Sequence, residues 1–254
     1  MRIYWIPAHP NNFSRRPRKR VNMILLHYTV FDTLERTIRH FQKSTSGVSA
    51  HYIIGRDGKV VQMVRDEDEA FHAGKSHWKG EKSCNRFSIG VELVNEGRQR
   101  RIVPFTKEQY ESLIILCRKL TRKYSIPPER IIGHSDVAIP TGRKRDPGAH
   151  FDWECLAQRG IGRMPEPPHF QYLPSSSGSG RSSWKNLCVG MKGVEVRRLQ
   201  RGLKRIGYKI PVNGVFDRIT RKVVKAFQLH YRRQNVSGEI DLETMLRVRS
   251  LIEK

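Results

Sequence analysis

The sequence predicts an α/β domain, a central mixed sheet flanked by helices, followed by a small three-helix domain. Three observations carry this. A nearly unbroken apolar run and a run alternating with period two lie upstream, as strands of one sheet require. Apolar residues at helical spacing sit behind capping residues between and after those runs. The stretch "MPEPPHFQYLPSSSGSGRSS" from Met164 to Ser183 is too rich in Pro, Ser and Gly to bury a core. It divides the chain into a first unit at 1–163, a linker at 164–183 and a second unit at 184–254.

In the first unit "VNMILLHY" (21–28) reads as a strand buried on both faces, with His27 near its end. Leu34, Ile38 and Phe41 then recur at helical spacing behind Thr33, a helix with an N-cap. "SAHYIIGRDGKVVQMV" (49–64) gives two strands joined at Asp57-Gly58, a strong hairpin signal. "FSIGVELVN" (87–95) sets Phe87, Ile89, Val91 and Leu93 on one face and Ser88, Gly90 and Glu92 on the other. Thr106 and Gln109 form a capping box ahead of a long helix lined by Tyr110, Leu113, Ile114, Cys117 and Leu120. Ile131 and Ile132 make a last short strand that ends at His134. In the second unit, helical patterns run over Val194–Ile206 and Thr220–Tyr231, and a third starts at Asp241. They predict a helical module with its own core, carried on a flexible tether.

Hydrophobic residues make up 37% of 254, enough for packed cores, while no segment approaches the ~18 continuous apolar residues of a membrane span. "MRIYWIPAHPNNFSRRPRKR" lacks the apolar stretch of a secretory signal. Cys84, Cys117, Cys155 and Cys188 have no CxxC spacing, which argues against a zinc finger or redox motif and leaves one disulfide open. The net charge of +24 calls for a polyanionic partner, which charge alone does not choose. The basic runs at 15–20, 98–101, 197–205 and 218–225 come with no nucleic-acid module, so no specific nucleic-acid partner is expected.

The densest chemistry lies in "GHSDVAIPTGRKRDPGAHFDW" (133–153). A catalytic zinc takes three protein ligands and keeps one position for water. His27, His134 and Asp146 all come from strand or loop ends and are the candidate ligands. Glu92, on a strand face, is placed to act as general base on a metal-bound water. Lys144 lies two residues before Asp146, so an extended loop turns both side chains to one side, where the ammonium can face a developing oxyanion.

Taken together, "LLHYT", "SAHYIIGRDG", "FHAG", "FSIGVELVN" and "GHSDVAIPTGRKRDPG" resemble the type 2 N-acetylmuramoyl-L-alanine amidases, relatives of phage amidases and of peptidoglycan recognition proteins. The resemblance spans roughly residues 20–160. It implies the zinc amidase fold, a Zn2+ cofactor, and cleavage of the amide between N-acetylmuramic acid, or its anhydro form, and L-alanine. The family's zinc ligands fall on His27, His134 and Asp146, its catalytic acid on Glu92, its loop lysine on Lys144. His72 of "FHAG" falls on a substrate contact, and Asn95 and His51, in neighbouring motifs, are further candidate substrate contacts. Where some relatives carry a tyrosine, this chain has Ala50.

The second unit resembles the peptidoglycan-binding domain 1 module in "GVEVRRLQ" (193–200), "NGVF" (213–216), "TRKVVKAFQ" (220–228) and "GEIDLET" (238–244). Peptidoglycan or muropeptides are therefore the expected partners of a monomeric protein. Recycling in the cytosol and remodelling in the periplasm both stay open. The alternative is a peptidoglycan recognition protein that binds without cutting. Loss of a zinc ligand is typical of such relatives, and this chain keeps all three.

Overall fold

The computed structural model describes every residue except 17–19, 98–102, 139–141, 166–184 and 254. The basic run at 98–101, part of the run at 15–20 and nearly all of the expected linker therefore lie outside the described residues.

The chain runs β1 (Ile3–Trp5), β2 (Phe13–Arg15), β3 (Met23–Tyr28), α1 (Leu34–Phe41), β4 (Tyr52–Ile54), β5 (Val60–Gln62) and β6 (Asp68–Ala70). It continues with β7 (His77–Trp78), β8 (Glu81–Lys82), β9 (Ser88–Leu93), α2 (Lys107–Tyr124), β10 (Ile131–Gly133), α3 (His134–Val137) and α4 (Trp153–Ala157). After the undescribed stretch come α5 (Val194–Ile206), α6 (Arg218–Tyr231) and α7 (Leu242–Ile252). Six strands form one mixed sheet in the order β1-β5-β4-β9-β3-β10, in which the β4–β5 hairpin supplies the antiparallel pair. The remaining pairings, β1 on β5 and those of β4, β9, β3 and β10, are parallel.

Local signals account for most boundaries. The Thr33 hydroxyl caps α1 by accepting from Arg36 N–H, and Thr106 with Gln109 forms the reciprocal capping box of α2. Gly58, at φ +80°, closes the turn of the β4–β5 hairpin, and the Asp57 carboxylate accepts from Lys59 N–H there. Asp217 and Asp241 cap α6 and α7.

Some elements differ from the sequence reading. His134 does not end a strand: β10 stops at Gly133 and His134 opens α3. The reason is the Asp136 carboxylate, which accepts from Gly133 N–H at 2.9 Å and starts a helix where a strand pattern would continue. The N-terminal residues, in which no strand was read from the sequence, supply β1 at the sheet edge and β2, which pairs with β6.

Strand alternation sorts the core. Ile24, Leu26, Ile89, Val91 and Leu93 pack with Leu113, Leu116, Cys117 and Leu120 of α2 on one face of the sheet. On the other face, Ile53 and Val61 pack with Leu34 and Phe41 of α1. Also on that face, Met23, Leu25 and Ile132 join Trp78 and Val137 in one cluster with Leu199, Leu203, Tyr208, Val223 and Phe227 of the C-terminal module. The module therefore shares its core with the six-stranded sheet instead of closing one of its own. Met23, Leu25 and His27 alternate along β3, so this shared core leads along the strand to His27.

Candidate metal centre

His27 sits on β3 opposite Glu92 of β9, and Ile53 of β4 is Glu92's neighbour on the other side. His134 begins α3, and Asp146 lies on the loop that returns beneath it, where the Asp146 carbonyl accepts from Ser135 N–H at 3.0 Å. The three side chains converge. His27 Nδ1 and His134 Nδ1 are 3.1 Å apart, and Asp146 Oδ2 lies 2.9 Å from the first and 3.0 Å from the second. All three residues are buried.

Hydrogen bonds further out fix what these atoms present. The Ser88 hydroxyl donates to Cys84 C=O at 2.6 Å, so its oxygen accepts from His72 Nε2–H at 3.3 Å. His72 Nδ1 then accepts from His27 Nε2–H at 3.0 Å, which leaves a lone pair on His27 Nδ1. His134 Nε2–H donates to Ala73 C=O at 3.1 Å, leaving a lone pair on His134 Nδ1 as well. Burial pushes His27 down to about 4, assisted by His134 and opposed by Asp146, so its ring is neutral at neutral pH. His72 is held well below the ordinary histidine value by burial and then by His27.

Three lone pairs, one of them anionic, thus meet within hydrogen-bond distance with no proton between them. Such an arrangement repels itself unless a cation sits in it. The donor set, two imidazoles and a carboxylate with outward ring N–H groups anchored, fits a metal ion.

Glu92 faces the same cavity. Its Oε2 is buried without a hydrogen-bond partner, and burial, with Asp146 adding to it and Lys144 opposing, pushes the carboxyl up to about 8. Gly90, two residues before it, leaves the space His72 occupies: a Cβ there would come within 2.5 Å of His72 Cγ. The cavity holds about 620 Å³ and its lining includes Phe31, His40, Val48, Arg143, Lys144 and Arg145. Lys144 is exposed, and its charge is felt by both Glu92 and His27.

A family model described as N-acetylmuramoyl-L-alanine amidase matches residues 17–149, just over half of the chain. The Escherichia coli amidase AmiD is 33% identical over 249 residues, 92% of this chain and 83% of that protein. The chain belongs to the N-acetylmuramoyl-L-alanine amidase family.

Other comparisons agree with that placement. The 1,6-anhydro-N-acetylmuramyl-L-alanine amidase AmpD of Haemophilus influenzae is 44% identical over 108 residues, 42% of this chain and 55% of that protein. Among solved structures, the complex of E. coli AmiD with anhydro-N-acetylmuramic acid-L-Ala-D-γ-Glu-L-Lys superposes with a TM-score of 0.77 at 30% identity, covering 97% of this chain and 90% of that one. Pseudomonas aeruginosa AmpDh3 in complex with anhydromuramic pentapeptide gives 0.71 at 26% identity, covering 93% of each chain. A model described as a peptidoglycan binding domain matches residues 192–247.

In this amidase-family chain, the sequence-derived candidates separate into two sets. His27, His134, Asp146, Glu92, Lys144 and His72 all line the one cavity. Asn95 lines a neighbouring pocket and bonds within its own loop, donating to Val103 C=O and accepting from Gly97 N–H. His51 is fully buried: its Nδ1 accepts from Gly90 N–H at 3.0 Å, and its Nε2 meets Asp68 C=O at 3.1 Å. Burial and the neighbouring Arg16 push His51 down to about 3.

Sequence reasoning passed over several contributors to the amidase cavity. Arg143 donates to the same Ala73 carbonyl that His134 uses, at 2.9 Å, and Ser88 closes the chain of hydrogen bonds behind His72. Arg143 could have been read from the "RKR" of the metal loop, whereas Ser88 carries no local signal.

Proposed function

We propose that this chain is a zinc-dependent hydrolase that cleaves the amide between N-acetylmuramic acid, or its anhydro form, and L-alanine in peptidoglycan or muropeptides. The observation that carries the reading is the meeting of the His27, His134 and Asp146 lone pairs beside the Glu92 carboxyl, whose Oε2 is buried without a hydrogen-bond partner. Zinc, held by those three side chains, would supply a water acidic enough to lose its proton near neutral pH and a positive charge for the attacked carbonyl.

The chain's own residues do the rest. Glu92 takes the proton of the attacking water as the C–O bond forms, then passes it to the departing L-alanine nitrogen as the C–N bond breaks. The Lys144 ammonium faces the oxygen on which negative charge gathers. Ser88, His72 and Ala73 hold the two imidazoles in the tautomers that aim Nδ1 inward. His72, engaged at both ring nitrogens, serves in this reading first to orient His27. His51 supports the β9 backbone at Gly90, and Asn95 orders its own loop beside the neighbouring pocket. The C-terminal module adds affinity for the wall polymer.

The competing reading, recognition without cleavage, asks for a site that has lost a zinc ligand, and His27, His134 and Asp146 are all in place. Mass spectrometry of peptidoglycan incubated with the protein tests the choice. Stem peptides released with a free L-alanine amine, abolished by a chelator and restored by zinc, are the expected products. Unchanged peptidoglycan that still pulls the protein down would overturn the hydrolase.

A further inference from the structure

A second cavity, of about 360 Å³, lies where the metal loop meets helix α6. Lys144 and Arg145 of the loop and Lys222 and Lys225 of α6 line it, together with Ser135 and Leu229. No acidic side chain lines it, and among the described residues none of the four cations makes an ion pair with a carboxylate. The lysine stems are laid against the protein. Lys222 crosses Gly142, where a Cβ would come within 3.1 Å of its Cδ, and Lys225 crosses Gly238, where one would come within 2.8 Å of its Cε. Lys144 and Arg145 also line the metal cavity, so the two spaces share lining residues.

Four like charges gathered in one cleft repel each other and leave a strong positive potential there. The substrate class of the proposed reaction answers it. In a stem such as L-Ala-D-γ-Glu-L-Lys the glutamate is linked through its side chain, so its α-carboxylate is free, and the last residue carries another. Both lie beyond the scissile bond, on the peptide side.

We propose that the cleft between the metal loop and the C-terminal module is the subsite for the stem-peptide carboxylates, and that Lys222 and Lys225 of the module bind them together with Lys144 and Arg145. The module then takes part in choosing the substrate at the active site as well as in holding the polymer. The inference rests on the amidase reading for the identity of the ligand.

The test uses the full chain and two probes, the free tripeptide L-Ala-D-γ-Glu-L-Lys and the same peptide with its carboxylates amidated, each titrated calorimetrically. Turnover of the matching N-acetylmuramoyl tripeptides is measured in parallel. The K222A/K225A variant, both positions being on the surface of α6, is expected to bind the acid peptide about tenfold more weakly, with the loss in turnover falling on KM and not kcat. The amidated peptide is expected to lose less than about twofold. An equal loss for both peptides, or no loss for either, would overturn the subsite. Absence of hydrolysis by the unaltered protein would overturn the amidase and not the subsite, because peptide binding is read without turnover.

Discussion

The Tyr208 hydroxyl of the C-terminal module donates to Asp136 Oδ1 at 2.5 Å, two residues along α3 from the metal-centre residue His134. His230, also of the module, meets Asp136 Oδ2 at 2.8 Å, and its ring is stacked between Trp153 and Tyr231 at 3.8 and 3.9 Å. Asp136 is fully buried and uses Oδ2 a second time to accept from Gly133 N–H. The helix start that aims His134 is therefore held from both domains. A buried carboxylate without its donors is costly, so the module's docking and the shape of α3 stabilise each other.

Replacing Tyr208 by Phe keeps the ring against Trp78 and Phe227 and removes only the donor. A hydrogen bond to a buried charged group is worth about 1.5–3 kcal/mol, and that loss of stability is expected in urea unfolding. Zinc affinity, measured by competition with a chromophoric chelator, is expected to fall as well. Unchanged zinc affinity in a destabilised Tyr208→Phe protein would show that α3 aims His134 without help from the module.

Glu92→Gln keeps the size of the side chain and removes its basicity. Turnover should fall by about 10²–10⁴-fold, the usual contribution of a general base, while zinc content measured by atomic absorption stays at one per chain. His134→Ala should lose both, since two donors rarely hold the ion that three do. A Glu92→Gln enzyme of full activity would assign proton transfer elsewhere.

Much of this was legible because it was local. The caps at Thr33 and Thr106, the extent of α5, the places of α6 and α7, and the face of β9 that carries Glu92 all follow from residues within a few positions of one another. The convergence of His27 with His134, across 107 positions, was reached through the resemblance of the motifs, since no periodicity joins them. The docking of the module was not legible. Tyr208 and His230 reach Asp136 across 72 and 94 positions, and in sequence they read as an ordinary turn residue and an ordinary helix residue. The start of α3 did carry a signal, an acidic residue three positions after Gly133, masked by the apolar pair Ile131 and Ile132 that reads as a strand.

Asp66 ties the β5 end of the sheet to α2 and sets an acid limit on stability. Its carboxylate, 4% exposed, accepts from Tyr52 at 2.7 Å, Tyr124 at 2.9 Å and Lys123 at 3.0 Å. Burial alone would raise its pKa, but these donors together hold it below the ordinary aspartate value. A carboxyl depressed on folding adds stability above its unfolded value, and that stability is lost as pH falls through the folded one. Urea unfolding should therefore separate the wild type from Asp66→Asn at pH 7 and bring them closer at pH 3. A gap that stays constant between those two values would mean that the effect of Asp66→Asn is packing alone.

Gly90→Ala tests whether the anchoring behind the metal site matters as much as the ligands themselves. The added methyl would fall 2.5 Å from His72 Cγ, closer than packed atoms come, and it grows from a strand bonded on both sides. His72 is enclosed by His27, His51 and Ser88, so it must tilt, and the bond from His27 Nε2–H is the one it would break. Overpacking of this kind costs about 1–3 kcal/mol of stability. Loss of the ring N–H partner of a ligating histidine costs about 10–100-fold in metal affinity. The double variant Gly90→Ala with His72→Ala removes the clash but not the loss of the anchor. It is expected to regain part of the melting temperature lost in Gly90→Ala while its zinc affinity stays low. Recovery of both together would mean that Gly90 matters for space alone and that His27 needs no partner behind it.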